Sequence, residues 1–271
     1  TIRSLEKLGQ AFDKFYMFVG NHDLYYKDKR DVTSTIFGKH IPGITIVDEI
    51  YEEEDVALVP WLVGDEWKKI QKCKAKYMFG HFELPHFYMN AMVQMPEHGD
   101  LRAEHFENQE YVFSGHFHKR QVKGKIHYIG NSFPHNYADA WDDERGMMIL
   151  DRENNKEPEY LNWGNCPKYR TIKLSHLLDK TDEVMKAKMY LRVTLDLPIS
   201  FEEASFIKET FFKDFKCREI TLIPQQTIDE IDTELDISTF ESVDEIVSKE
   251  ISAIDSDTYD KKMLLDIYKE C

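Results

Sequence analysis

Three short apolar runs in this chain each stop at a glycine and then turn polar at once. Phe15-Tyr16-Met17-Phe18-Val19 meets Gly20-Asn21-His22-Asp23. Lys76-Tyr77-Met78-Phe79 meets Gly80-His81, and Tyr111-Val112-Phe113-Ser114 meets Gly115-His116-Phe117-His118. Runs this short, rich in aromatic and β-branched side chains, predict buried strands. Glycine at a strand end lets the backbone turn sharply. Ligands of α/β sheets collect at the carboxyl ends of their strands. The pattern therefore predicts one metal site assembled from three strand ends.

Other periodicities fill in the chain. Ile2, Leu5, Leu8 and Phe12 fall on one helical stripe. That helix is already under way at Thr1, so the start of the natural protein is expected to be absent. Residues 31–40 read as a short helix, 44–47 and 56–59 as strands, and 65–75 as helix-prone. Residues 82–110 carry aromatics without a period, as a lid, a cleft loop or a small helical insertion would. Residues 125–130 and 146–151 read as paired strands, and 168–174 as another. The polar stretch 152–167 reads as a boundary. Beyond it Met189, Leu191, Val193 and Leu195 alternate with polar residues, as in a half-buried strand. Ser200 with Glu203 makes a capping box before a helix that turns Ala204, Ile207, Phe211 and Phe215 inward. A strand over 220–223 closes a small β-α-β unit.

The residues expected to form the core are 1–165, with a small α/β domain over 166–225. An acidic linker, 226–239, precedes a helical tail, 240–271. In the tail, Ser242 and Glu245 form a second capping box. Ile246, Val247, Ile251 and Ile254 make one apolar stripe, and Met263, Leu264, Ile267 and Tyr268 a second. Stripes set off by an acidic linker suit helices that dock in a partner's groove.

Composition narrows the class. With 42% apolar residues among 271 the chain can bury a sizeable core. Its net charge is −15, whereas a protein that binds nucleic acid unaided presents a basic face. Most of that charge lies beyond Gln225, so the body is nearly balanced. Four widely spaced cysteines without a C-x-x-C pair argue against a zinc knuckle or a disulfide scaffold and suit a reducing compartment. No run is long and apolar enough for a membrane span.

Imidazole and amide oxygen are neutral ligands suited to Mn, Fe, Zn and Ni. Two such ions about 3.5–4 Å apart hold a phosphate diester and activate water for in-line attack. His22, beside Asn21, is placed to reach the phosphate and protonate the leaving oxygen, with Asp23 to hold its ring. Lys27, Lys29, Arg30, Lys119 and Arg120 are candidate phosphate contacts. The other histidines have no such context and receive no role.

Gly20-Asn21-His22-Asp23, Gly80-His81 and Gly115-His116-Phe117-His118 resemble the third, fourth and fifth motifs of the calcineurin-like metallophosphoesterases. Tyr128-Ile129-Gly130-Asn131, followed by Asp143-Glu144-Arg145-Gly146, narrows the resemblance to the SbcD-type nuclease subunits of DNA double-strand-break repair, and most of all to their phage recombination members. The resemblance implies an α/β fold: a two-sheet sandwich flanked by helices, a small capping domain and C-terminal helices. It implies that Asn21, His81 and His116 bind one metal and His118 another, with manganese the expected ion, and that His22 is catalytic. It implies a cytoplasmic enzyme, in the bacterial host if phage-encoded, that cuts single strands internally and duplexes from their ends. It further implies a homodimer formed through helices that include residues 31–39. An SbcC-type, SMC-like ATPase would bind the C-terminal helices. The family also carries an earlier Asp-x-His and Gly-Asp, and neither precedes Gly20 here. The missing piece is expected to hold a strand-helix-strand unit of roughly 30 residues. Without it the chain is expected to bind metal poorly and cut nothing. The alternatives are a phosphoesterase for small or protein substrates and a non-catalytic clamp subunit.

Overall fold

The computed structural model describes residues 2–186, 188–224, 251 and 262–264. The chain divides into two units, Thr1–Gln225 and Gln226–Cys271. The first begins with α1 (Ile2–Ala11), β1 (Phe15–Phe18), β2 (Leu24–Tyr26), β3 (Lys29–Thr33), β4 (Ile44–Val47), β5 (Tyr51–Glu53) and β6 (Val56–Val59). It continues through α2 (Trp67–Ile70), β7 (Tyr77–Gly80), β8 (Tyr111–Ser114), β9 (Gln121–Lys123), β10 (Ile126–Tyr128), β11 (Gly146–Ile149) and β12 (Glu159–Asn162). It ends with β13 (Lys168–Lys173), α3 (Leu174–Asp179), α4 (Thr181–Val184), β14 (Met189–Leu195), α5 (Phe201–Lys213) and β15 (Glu219–Pro224).

A six-stranded sheet runs in the order β5-β6-β7-β8-β10-β9. Its four central strands are parallel, with antiparallel β5 and β9 at the edges. Parallel strands covered on both faces read as unbroken apolar runs. That is why Val56–Val59 and Tyr111–Ser114 lack alternation. Because β6, β7, β8 and β10 point the same way, their carboxyl ends form one edge. A separate parallel pair, β1 and β4, adds its end to that edge, where the Trp61 amide donates to the Val19 carbonyl at 2.8 Å.

Residues 82–110 are pinned to the core at intervals instead of forming a free lid, with 96–100 exposed. Phe82, Leu84, Phe87, Met95 and Phe106 all enter the main apolar cluster. Their burial replaces regular structure as the source of order, which is why no period is visible.

A second apolar cluster lies wholly between Ile172 and Ile220, around the parallel sheet β13-β14-β15. Met189, Leu191 and Val193 face inward as the alternation predicts. The Ser200 hydroxyl accepts from the Glu203 amide and the Glu203 carboxylate accepts from the Ser200 amide, closing the capping box.

Three expectations need correction. Residues 31–39 form no α-helix: residues 31–33 belong to β3, which pairs with β2, and a 3-10 turn over Ile36–His40 comes next. The helical dimer contact placed there has no helix to stand on. Ile126–Tyr128 and Gly146–Ile149 do not pair. The first lies between β8 and β9, and the second pairs with β12. The polar stretch 152–167 therefore contains a strand, paired through backbone groups that its polar side chains do not reveal. Of the tail residues, Ile251, Met263 and Leu264 are helical. Ile246, Val247, Ile254, Ile267 and Tyr268 lie outside the described residues.

Candidate metal centre

Three of the parallel strands each deliver a side chain to the shared edge within three residues of their ends. β1 delivers Asn21, β7 delivers His81 and β8 delivers His116. Pairing fixes the last two at one height, since Gly80 and Ser114 are register partners and the Gly115 amide donates to the Gly80 carbonyl at 3.0 Å. Glycine is required here for space as well as for turning. A Cβ on Gly20 would stand 3.2 Å from the His81 ring, and one on Gly115 3.1 Å from His81 Nδ1. The two glycines leave the slot that the imidazole fills.

The atoms that meet are Asn21 Oδ1, His81 Nε2 and His116 Nδ1. His81 Nε2 lies 3.0 Å from Asn21 Oδ1 and 3.2 Å from His116 Nδ1. On the opposite side of its ring, His116 Nε2 lies 3.0 Å from Glu83 Oε2. A proton on Nε2 satisfies that carboxylate and leaves Nδ1 as a lone pair. His81 Nε2 then faces two acceptors and can donate to only one of them. Burial pushes the His81 imidazole down to about 4 and lowers that of His116 despite Glu83, so neither ring takes an extra proton near neutrality. Three electron-pair donors with at most one proton among them call for a cation. Adjacent ligand atoms around an ion with bonds of about 2.1–2.2 Å stand about 3.0–3.1 Å apart, which matches the observed spacing. Among the described residues, no three His, Cys, Asp or Glu side chains are arranged to hold an ion. The trio here owes its third member to an amide.

His116 is held in a strained turn. Its φ is +56° and the Phe117 amide donates to the Gly115 carbonyl at 2.7 Å across it. A non-glycine residue in this conformation costs about 1–3 kcal/mol and is found where the surroundings impose it.

His22 is exposed and forms no hydrogen bond, ion pair or ring contact among the described residues, yet its charge would act on both His81 and His116. Asp23 does not hold it. Asp23 Oδ2 accepts from the Gly20 amide at 2.8 Å and Oδ1 from the Ser34 hydroxyl at 3.0 Å, so this carboxylate braces the turn.

His118 stands in a second group. Its Nδ1 lies 3.7 Å from Asp139 Oδ2, and its ring lies 5.5 Å from that of His135. Asp139 is fully buried. Its Oδ2 accepts from the His135 amide at 3.0 Å and from Asn131 Nδ2 at 3.2 Å. Buried Arg145 places Nη2 3.1 Å from Asp142 Oδ2 and 3.5 Å from Asp139 Oδ1. Glu83, His135 and Asp139 carry no motif. Glu83 had one readable signal, because two residues beyond His81 in an extended segment is the same face.

The predicted phosphate contacts divide. Arg30 is committed to the fold: its guanidinium bonds both Glu66 carboxylate oxygens and the Asp48 and Trp61 carbonyls. Arg120 bonds Asn162 and the Ile129 carbonyl and lies over the Tyr160 ring. Lys27 is exposed in the β2–β3 turn, Lys29 lies over Tyr26, and Lys119 lies over Tyr88.

No family model matches the chain. Over 162 residues it is 27% identical to exonuclease subunit 1 of Enterobacteria phage T4. That match takes in 56% of this chain and 46% of the phage protein. The chain thus spans less than half the length of the curated relative it matches. No helix among the described residues is long and apolar enough to cross a membrane.

Proposed function

We propose that this chain carries the metal-binding part of a calcineurin-like, SbcD-type nuclease subunit that acts on DNA in recombination or repair. The observation that carries the reading is the meeting of Asn21, His81 and His116 from three separate strand ends with too few protons to satisfy one another. The similarity to a phage exonuclease subunit supports the same class.

In this reading Asn21, His81 and His116 hold one divalent ion, manganese by preference, and His118 contributes to a second. Bound, such ions offset phosphate charge and supply an activated water for in-line attack. Glu83 orients His116 by accepting its Nε2 proton. His22, exposed beside the trio and free of side-chain partners among the described residues, contacts the phosphate and gives a proton to the departing oxygen. A non-catalytic clamp would have no use for such a group. Lys27, Lys29 and Lys119 remain available to the strand, while Arg30 and Arg120 act within the fold. The protein works in a complex, and we place an SMC-like ATPase partner on the C-terminal helices.

Manganese binding to the chain, followed through loss of the aqueous Mn2+ paramagnetic signal, should weaken about tenfold or more in His81→Ala and in His116→Ala. It should be unchanged in Lys27→Ala. Manganese-dependent nicking of a single-stranded DNA circle by the full-length protein, set against its hydrolysis of a nucleotide monoester, tests the substrate class. Turnover confined to the monoester would sink the nuclease reading.

A further inference from the structure

A cavity of about 210 Å³ opens directly beside the trio, with His81 in its wall. The segments after β6 and β7 build it. Trp61 and Trp67 come from the first, Phe82 and Glu83 from the second, and His98 and Asp100 from the loop beyond. Its aromatic walls are fixed by packing. The Trp61 ring lies 5.1 Å from that of His116 and 6.0 Å from that of His81, and Trp67 stacks on His105 at 4.9 Å.

Size and charge choose the occupant. Drug-sized ligands fill cavities of about 300–1,000 Å³, so this one suits a single planar ring system. Its lining holds two carboxylates, Glu83 and Asp100, and no lysine or arginine among the described residues. A phosphate would be repelled. An uncharged heteroaromatic ring would stack on the indoles and present exocyclic amines to the carboxylates and to His98, whose Nε2 lies 3.6 Å from Glu83 Oε1.

We infer that this cavity receives one nucleobase, swung out of the stack, of the nucleotide whose phosphate sits at the Asn21–His81–His116 trio. The inference rests on the nuclease reading and sharpens it. A base can enter only where the strand is unpaired or readily opened, because extrusion from a duplex costs unstacking and unpairing energy. The cavity would therefore select single-stranded or distorted DNA at the point of cutting.

A dinucleotide tests this, since its only phosphate fixes the register. Binding to the full-length protein with Mn2+ is measured by equilibrium dialysis for three probes: the intact dinucleotide, one lacking its 5′ base and one lacking its 3′ base. Loss of one of the two bases should weaken binding about tenfold, the scale of a single base–aromatic stack, and loss of the other less than about twofold. Trp61→Ala should lower the intact probe to the level of the weaker abasic one and leave that abasic probe unchanged. Equal binding of all three probes to the wild-type chain would overturn the base cavity while leaving the nuclease reading intact. No manganese-dependent binding of any probe would overturn both.

Discussion

Asn21, His81 and His116 leave the ends of hydrogen-bonded strands, whereas His118 and His135 lie on loops gathered around a buried carboxylate. The first group needs no buried ion pair. Strand pairing sets its backbone heights, two glycines leave the slot, and its key contacts fall at 3.0 and 3.2 Å. The second group is looser, with His118 at 3.7 Å from Asp139, and it depends on two fully buried charges, Asp139 and Arg145. Strand pairing holds the first group and electrostatics holds the second. Desolvating charges is costly, and their attraction offsets that cost only while both partners remain.

The sharpest way to break this contrast is to remove one partner. Arg145→Met leaves Asp139 buried without its cation and should cost about 3–5 kcal/mol in urea unfolding. Manganese binding at the trio should persist wherever the variant is folded. A loss below about 1 kcal/mol would mean that charge does not hold the His118 half.

A smaller effect comes from the rim of the same loop. Asp143 lies 2.8 Å from Lys168 Nζ and 2.9 Å from Arg170 Nη1, joining the loop to β13. Burial pushes its carboxyl upward, but hydrogen bonds from Arg170 and Lys168 prevail and hold it below its ordinary value of 3.8. A carboxyl depressed in the folded state stabilises fully above the unfolded value, and that contribution is lost as pH falls through the folded one. Asp143→Asn should therefore cost about 1–2 kcal/mol at pH 7. The gap between variant and wild type should begin to narrow below about pH 4 and shrink further as pH falls through the depressed folded value. Urea midpoints at pH 7 and pH 3 check it, and a gap independent of pH would show that the carboxylate charge is irrelevant.

The same contrast explains what could be read from the sequence. The strand-end half was visible because one local signal, an apolar run stopped by glycine, reports both the strand and the ligand-bearing turn at its end. The alternation from Met189 to Leu195 and the Ser200–Glu203 box are equally local, and the structure has both. Of the loop group, His118 was read as a ligand and Asn131 and Arg145 fell in recognised motifs, but the carboxylate that gathers them was not visible. Asp139 sits in a 3-10 turn without a period, and its partners Asn131, His135 and Arg145 meet it only after the chain has folded back. Long-range pairing misled for the same reason: nothing local to residues 146–149 says that their partner is 159–162 and not 126–128. Asp23 was misread because a carboxylate next to a histidine suggests a dyad, while its shorter path is back to the Gly20 amide as a turn brace.

The finest distinction concerns the cost of holding His116 in place. At φ +56° a Cβ crowds the backbone, and among L-residues asparagine tolerates this region best because its short amide bonds locally. If the trio's geometry is held against strain, the identity of the replacement should matter even after the imidazole is gone. His116→Asn and His116→Ala should both lose manganese binding. The asparagine variant should nevertheless unfold at higher urea, by about 0.5–1 kcal/mol, because alanine must keep the left-handed turn without a local bond. Equal midpoints would mean that the turn relaxes once the ring is removed. In that case the histidine sets the conformation, and the strand end does not impose it.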